Sequence, residues 1–195
     1  SLKLGNLTDA QKYAEKALER NNDLVQAKLA LGQVYLDFGQ IEKSEKYFKH
    51  NQEKIRKFFV LDKIDLPKNS VSLHIRRGDY LKNTNFHNIL ELEYYSNALD
   101  YIKTYSKLFV FSSDPELPNQ LNFPNMEFVN TGDDYLDFCM MSSCDHNIIA
   151  NSTFSWWASY LNNNNDKKVI APKRWFGPHG PQNWVDIYCD NWKII

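Results

Sequence analysis

The chain has 195 residues, room for one domain or one domain with an appendage. It is 43% hydrophobic and 14% aromatic, enough to bury a sizeable core and to line a sugar or base site. Its net charge of −1 excludes the global field that gathers nucleic acid or coats an anionic membrane, so any phosphate binding must be local. Three cysteines (Cys139, Cys144 and Cys189) leave one odd, which argues against a disulfide framework and for a reducing compartment. Cys139 and Cys144 lie too far apart for a CxxC metal pair, and no zinc spacing is present. No apolar run approaches the ~20 residues that cross a bilayer, and no signal-peptide pattern opens the chain.

Residues 1–52 carry a repeat. Gly5 and Gly39 stand 34 residues apart, and the same offset maps Ala10 onto Ser44, Tyr13 onto Tyr47 and Ala14 onto Phe48. With Leu31-Gly32 and Tyr35, this period resembles the tetratricopeptide helix-turn-helix. The expected helices are roughly 8–20, 24–37 and 41–58, with Gly5 and Gly39 in turns and with Leu and Tyr filling the gaps between helices. One and a half repeats fall short of the about three that a free-standing solenoid needs. The segment is therefore either a helical cap over core or a groove for a protein partner.

Asp62 to Ser70 reads as a linker, and from Val71 strand and helix alternate. Val71–Ile75 is a short apolar strand, and Leu92–Tyr105 an amphipathic helix with Leu92, Tyr95, Leu99 and Ile102 on one face. Strands are expected at Leu108–Phe111, Met126–Val129, Asn147–Ala150 and, last, Val169–Ala171; helices at Asp133–Ser142 and Ser155–Leu161. Asn162–Asp166 reads as a solvated loop, and the aromatic tail Trp184–Ile195 packs back on the body. Such alternation implies a parallel sheet with helices on both faces. The fold expected for 53–195 is thus Rossmann-like α/β, preceded over 1–52 by an all-α tetratricopeptide-like segment.

Polar motifs recur at the strand carboxyl ends, where open α/β sheets bind their ligands. The first strand runs into Arg76, Arg77, Gly78 and Asp79, whose adjacent guanidiniums suit a diphosphate; the alternative is a pair of surface salt bridges. The second ends at Asp114, either an Asp-Pro turn or a carboxylate for the N–H edge of guanine. Asn151-Ser152-Thr153-Phe154-Ser155 then opens a helix, where hydroxyls and free backbone N–H groups make either a helix cap or a phosphate cradle. An Arg pair on the neighbouring strand end favours a diphosphate between the two. Trp156 and Trp157 read as core rather than as a sugar platform.

His74-x-Arg76-Arg77-Gly78-Asp79-Tyr80, Phe111-Ser112-Ser113-Asp114, Asn147 through Ala158 and Ile170 through Phe176 together resemble, in order and spacing, the alpha-1,2-fucosyltransferase family over about residues 43–195. The resemblance implies inverting transfer of L-fucose from GDP-fucose to a galactosyl 2-hydroxyl, on half of a GT-B architecture, in the cytoplasm or peripherally at the inner membrane surface, with no cofactor and no obligatory metal. It implies that Arg76 and Arg77 hold the donor diphosphate, His74 and Asp114 contact guanine, and Asn151, Ser152, Thr153, Phe154 and Ser155 line the phosphates. Asp79 is the sole candidate for a base, or simply orients the arginines. The family's glycine-rich opening and acceptor-side half are not matched here; the repeat segment stands in their place. A non-catalytic module that holds a GDP-sugar and recruits a partner is the alternative.

Overall fold

A computed structural model describes residues 2–21, 27–28, 30–31, 56, 59–114 and 116–195. The chain divides into two compact units, Ser1–Val60 and Leu61–Ile195.

In the first unit, helix α1 spans Leu2–Arg20, so Gly5 lies inside a helix and not in a turn. One interior glycine costs only about 1 kcal/mol of helix propensity, which eighteen other helical residues outweigh. Ala14 and Leu18 pack on Leu31, whose neighbours 27, 28 and 30 are also helical. Tyr13 is 72% exposed and fills no gap. The expected helices 24–37 and 41–58, with Gly39, Ser44, Tyr47 and Phe48, fall largely outside the described residues.

The second unit is a six-stranded sheet, parallel throughout, in the order β3-β2-β1-β4-β5-β6. The strands are β1 Ser70–His74, β2 Lys107–Phe111, β3 Met126–Val129, β4 His146–Ile148, β5 Val169–Ala171 and β6 Lys193–Ile194. Helix α2 (Leu92–Ile102) joins β1 to β2, α3 (Asp134–Ser143) joins β3 to β4, and α4 (Thr153–Leu161) joins β4 to β5. Tyr95, Ala98, Leu99 and Ile102 of α2 pack with Val71, Leu73, Leu108 and Val110 on one face. Phe109 and Phe111 turn to the other face and meet Met141 of α3 and Ala158 of α4. Chain that steps leftward from β1 and rightward from β3 and β4 must place its helices on opposite faces if all crossovers share one hand, and it does. This is the doubly wound order, whose direction reverses between β1 and β4.

Three expectations need correction. Leu92 is 41% exposed, because side chains of a first helical turn tilt back past the helix start, and Ala98 takes its place in the core. Trp156 is partly buried and packs against the core, with its indole N–H bonded to Ile187 O at 2.6 Å, but Trp157, one position on, faces outward at 37% exposure. Asn162, assigned to a solvated loop, is buried: its amide donates to Cys144 O and to Asn147 Oδ1. The tail does pack back, contributing Trp192 to the core and a sixth strand beside β5 that no pattern announced.

The central strand is half polar. All five residues of β1 are buried, yet Ser70, Ser72 and His74 face α3 and α4. Each needs a partner, since an unpaired buried polar group costs ~1–3 kcal/mol. Ser70 and Asp145 exchange backbone-to-side-chain bonds. Asn147 Nδ2 donates to Ser72 Oγ at 2.7 Å and to Met141 O at 2.8 Å. His74 Nδ1 meets Ser155 Oγ at 2.9 Å, and burial first, then the charge on Arg76, push the imidazole pKa down to about 3.

Asn147→Ala orphans Met141 O and one N–H of Asn162, and should cost about 3 kcal/mol in urea unfolding; a loss below about 0.5 kcal/mol would show the polar stripe to be dispensable. Because the folded-state pKa of His74 lies below its unfolded value of 6.5, the unfolded chain binds the extra proton. Its contribution is complete above pH 6.5 and is lost as the pH falls toward 3, at up to about 1.4 kcal/mol per pH unit. Unfolding curves of His74→Asn should lack that part of the slope, and an unchanged slope would place the titration elsewhere.

Candidate active site

β1 ends at the point where the strand order reverses, with β2 on one side and β4 on the other. The crevice above such a point is where doubly wound sheets bind ligands. Gly78 makes the exit from β1 possible: its φ is +26°, and a Cβ there would lie 3.1 Å from Ser113 Oγ at the end of β2. A single turn of 3₁₀ helix, Gly78–Lys82, follows.

The two arginines serve opposite neighbours of β1. Arg76 works on the β4 side. Its Nη2 meets Asp79 Oδ1 at 2.7 Å and its guanidinium lies 5.3 Å from the centroid of the Tyr80 ring. The Tyr80 hydroxyl in turn donates to Asn151 O, and His87 stacks on the ring at 3.9 Å. Arg77 works on the β2 side, donating from Nη1 to Gln120 Oε1 at 3.3 Å, with Nε 3.8 Å from Asp114 Oδ2, beyond hydrogen-bond reach. The Nε atoms of both arginines are buried without a hydrogen-bond partner. The two guanidiniums are therefore split about the end of β1, one toward each neighbouring strand.

Asp114 Oδ1 accepts from Glu116 N, the turn-forming alternative, which leaves Oδ2 toward Arg77. Ser152 caps α4 by accepting from Phe154 N. Thr153 is exposed; Phe154 packs between His74 and Phe138, and Ser155 is buried against His74. Asn151 donates to Asn88 O and Trp175 O, both at 2.8 Å, and ties three loops together. Among the described residues, no three His, Cys, Asp or Glu side chains are grouped to hold a metal ion, and no helix is long and apolar enough to cross a membrane.

On the α2 side of the crevice lies a cavity of about 600 Å³, bordered by Arg77, His87, Asn88, Tyr95, Gln120 and Gly177. Gly177 has no room for a side chain there, since a Cβ would come within 2.5 Å of Asn85 O. Sequence reasoning missed this wall. Helical spacing assigns Tyr95 to the core, and nothing in that spacing tells that its buried hydroxyl has no partner. Tyr80 stood inside the motif, and its aromatic platform for Arg76 could have been suspected from there.

Comparison with known proteins places this geometry. A family model for glycosyl transferase family 11 matches residues 30–195, and one for the tetratricopeptide repeat matches residues 1–52. The chain is 40% identical over 135 residues to the O-antigen biosynthesis glycosyltransferase WbnK of Escherichia coli, covering 64% of this chain and 44% of that protein. It is 34% identical over 173 residues to an alpha-1,2-colitosyltransferase of Escherichia coli, covering 74% of this chain and 60% of the relative. It is 32% identical over 107 residues to the galactoside 2-alpha-L-fucosyltransferase SEC1 of Bos taurus, covering 49% and 29%. The chain thus spans about half the length of the first two of these relatives. No solved structure matches it. A parallel sheet in doubly wound order, with the arginine motif at its reversal point and a family match over most of its length, identifies the chain as a member of glycosyl transferase family 11.

Proposed function

We propose that this chain supplies the donor-binding half of a GT-B glycosyltransferase that moves L-fucose from GDP-fucose to a galactosyl 2-hydroxyl, with inversion and without an obligatory metal. The observation that carries the reading is the pair of guanidiniums at the reversal point of the sheet, each with a buried Nε–H that no protein group accepts. Arg76 and Arg77 take the diphosphate. Asp114 offers its second carboxylate oxygen to the N–H edge of guanine. Ser152 and Thr153, at the start of α4, present a hydroxyl and backbone N–H groups, while the half-buried Phe154 and the buried Ser155 and Asn151 hold that start in place. His74, neutral across the physiological range, acts through its bond to Ser155 and leaves its second nitrogen for the base.

In the transfer, the acceptor oxygen bonds to the anomeric carbon as the bond to the β-phosphate oxygen breaks. The GDP that leaves gains negative charge, which guanidiniums already in place stabilise without reorganising. The acceptor's proton passes to a base, for which Asp79 is the proposed group, held at 2.7 Å from Arg76. Two of the relatives are named for alpha-1,2 or 2-alpha transfer, which supports the linkage, and one for colitosyl transfer, so colitose is the competing sugar. The family match favours an enzyme over a non-catalytic module.

Calorimetry should find GDP and GDP-fucose binding, with ADP markedly weaker, and GDP-fucose with lactose should yield a fucosylated product. Arg76→Ala should weaken GDP binding by about 2–5 kcal/mol, because it strands desolvated phosphate charge. Equal GDP affinity in that variant would remove Arg76 from the donor site; binding without product would favour the module.

A further inference from the structure

The cavity beside α2, at about 600 Å³, falls within the ~300–1,000 Å³ of small-molecule sites and is far larger than a lone ion needs. The Tyr95 hydroxyl and Arg77 Nε are sealed from solvent and offer a ligand nothing. The groups that remain accessible are of another kind. The Glu91 carboxylate stands at the start of α2 without a capping bond, and among the described residues no group pairs with it. Two amides on the same border are each half engaged. Asn88 Nδ2 donates to Arg174 O, which leaves Oδ1 as an acceptor; Gln120 Oε1 accepts from Arg77, which leaves the Nε2 hydrogens as donors. The exposed Thr84 borders the space with a hydroxyl that can do either, and Leu81 and Pro178 supply apolar surface.

Charge decides the class of ligand. The guanidinium on the border, that of Arg77, is turned toward Asp114 Oδ2 and Gln120, and Glu91 brings a negative charge of its own. That balance disfavours phosphate. Open acceptors, an open donor pair and apolar wall suit a neutral ring rimmed with hydroxyls, because each hydroxyl both donates and accepts while the C–H faces cover the apolar surface. We infer that the cavity beside α2 is a subsite for a neutral pyranose, with the Glu91 carboxylate accepting from its hydroxyls and Asn88, Gln120 and Thr84 completing the set. This rests on the transfer reading above, in which two such rings meet: the fucosyl group of the donor and the galactosyl group of the acceptor. The chemistry of the wall serves either ring.

Glu91→Ala in the full 195-residue chain separates the two sources. The readouts are calorimetry with GDP and with GDP-fucose, and saturation-transfer NMR with lactose in the presence of GDP. The melting temperature and the GDP affinity should match wild type, since Glu91 is exposed and caps nothing. A fall of about tenfold in GDP-fucose affinity, the scale of a lost hydrogen bond to a charged group, assigns the ring to the donor. Loss of the lactose signal assigns it to the acceptor, and either result upholds the subsite. Thr84→Trp, which fills the cavity from an exposed position, should repeat that loss. If neither GDP-fucose nor lactose binding changes in Glu91→Ala, the subsite is overturned. An equal loss for GDP and GDP-fucose would also overturn it, because the nucleotide would then occupy the cavity. Wild type that binds lactose in a Glu91-dependent way, but neither GDP nor GDP-fucose, would keep the subsite and sink the donor reading. Wild type that binds none of the three would sink both.

Discussion

A buried hydrogen bond between an imidazole and a hydroxyl, His74 to Ser155, holds the site together. It links the last residue of β1 to the first turn of α4, across the one seam of the sheet where the chain order reverses. Two more polar contacts run along the same seam below it, Ser72 with Asn147 and Ser70 with Asp145. The backbone ladder pairs Ser72 with Asn147, and directional side-chain bonds with low tolerance for unpaired partners reinforce that register. The position of the Ser152 cap relative to Arg76 is inherited from that register.

The position of β1 between β2 and β4 explains why two consecutive arginines do different work. A strand at a reversal point has a loop-bearing neighbour on each side, and consecutive residues leaving it reach both. Asp79 and the Tyr80 ring preset Arg76 on one side; Gln120 and Asp114 steady Arg77 on the other. Both guanidiniums keep an unaccepted Nε–H. Two positive charges are thereby fixed at the point where the strand order reverses.

The loops that close the crevice are equally constrained. Gly177 N donates to Phe86 O, His179 N to Asn85 O, and Asn88 and Asn151 clasp the backbone at Arg174 and Trp175. The segment after β5 is thereby buttoned onto the segment after β1. The cavity beside α2 owes its far wall to that clasp, formed by residues some ninety positions apart.

Much of this chain was legible in order. Alternating apolar runs placed the first five strands and the three helices of the second unit within a few residues, because period and turn chemistry are local properties. The same local character made His74-x-Arg76-Arg77-Gly78-Asp79 and Asn151-Ser152-Thr153-Phe154-Ser155 recognisable as strand-end motifs. Local pattern could not tell which of two neighbours each guanidinium would serve, that Asn162 would be drawn under the sheet, or that Lys193 and Ile194 would add a strand. It also assigned Tyr95 to the core correctly, yet left its hydroxyl unaccounted for. Residue identity determined the elements and the chemistry available at their ends. Tertiary structure alone decided which donors were left without acceptors, because satisfaction of a buried polar group depends on atoms that arrive from distant parts of the chain.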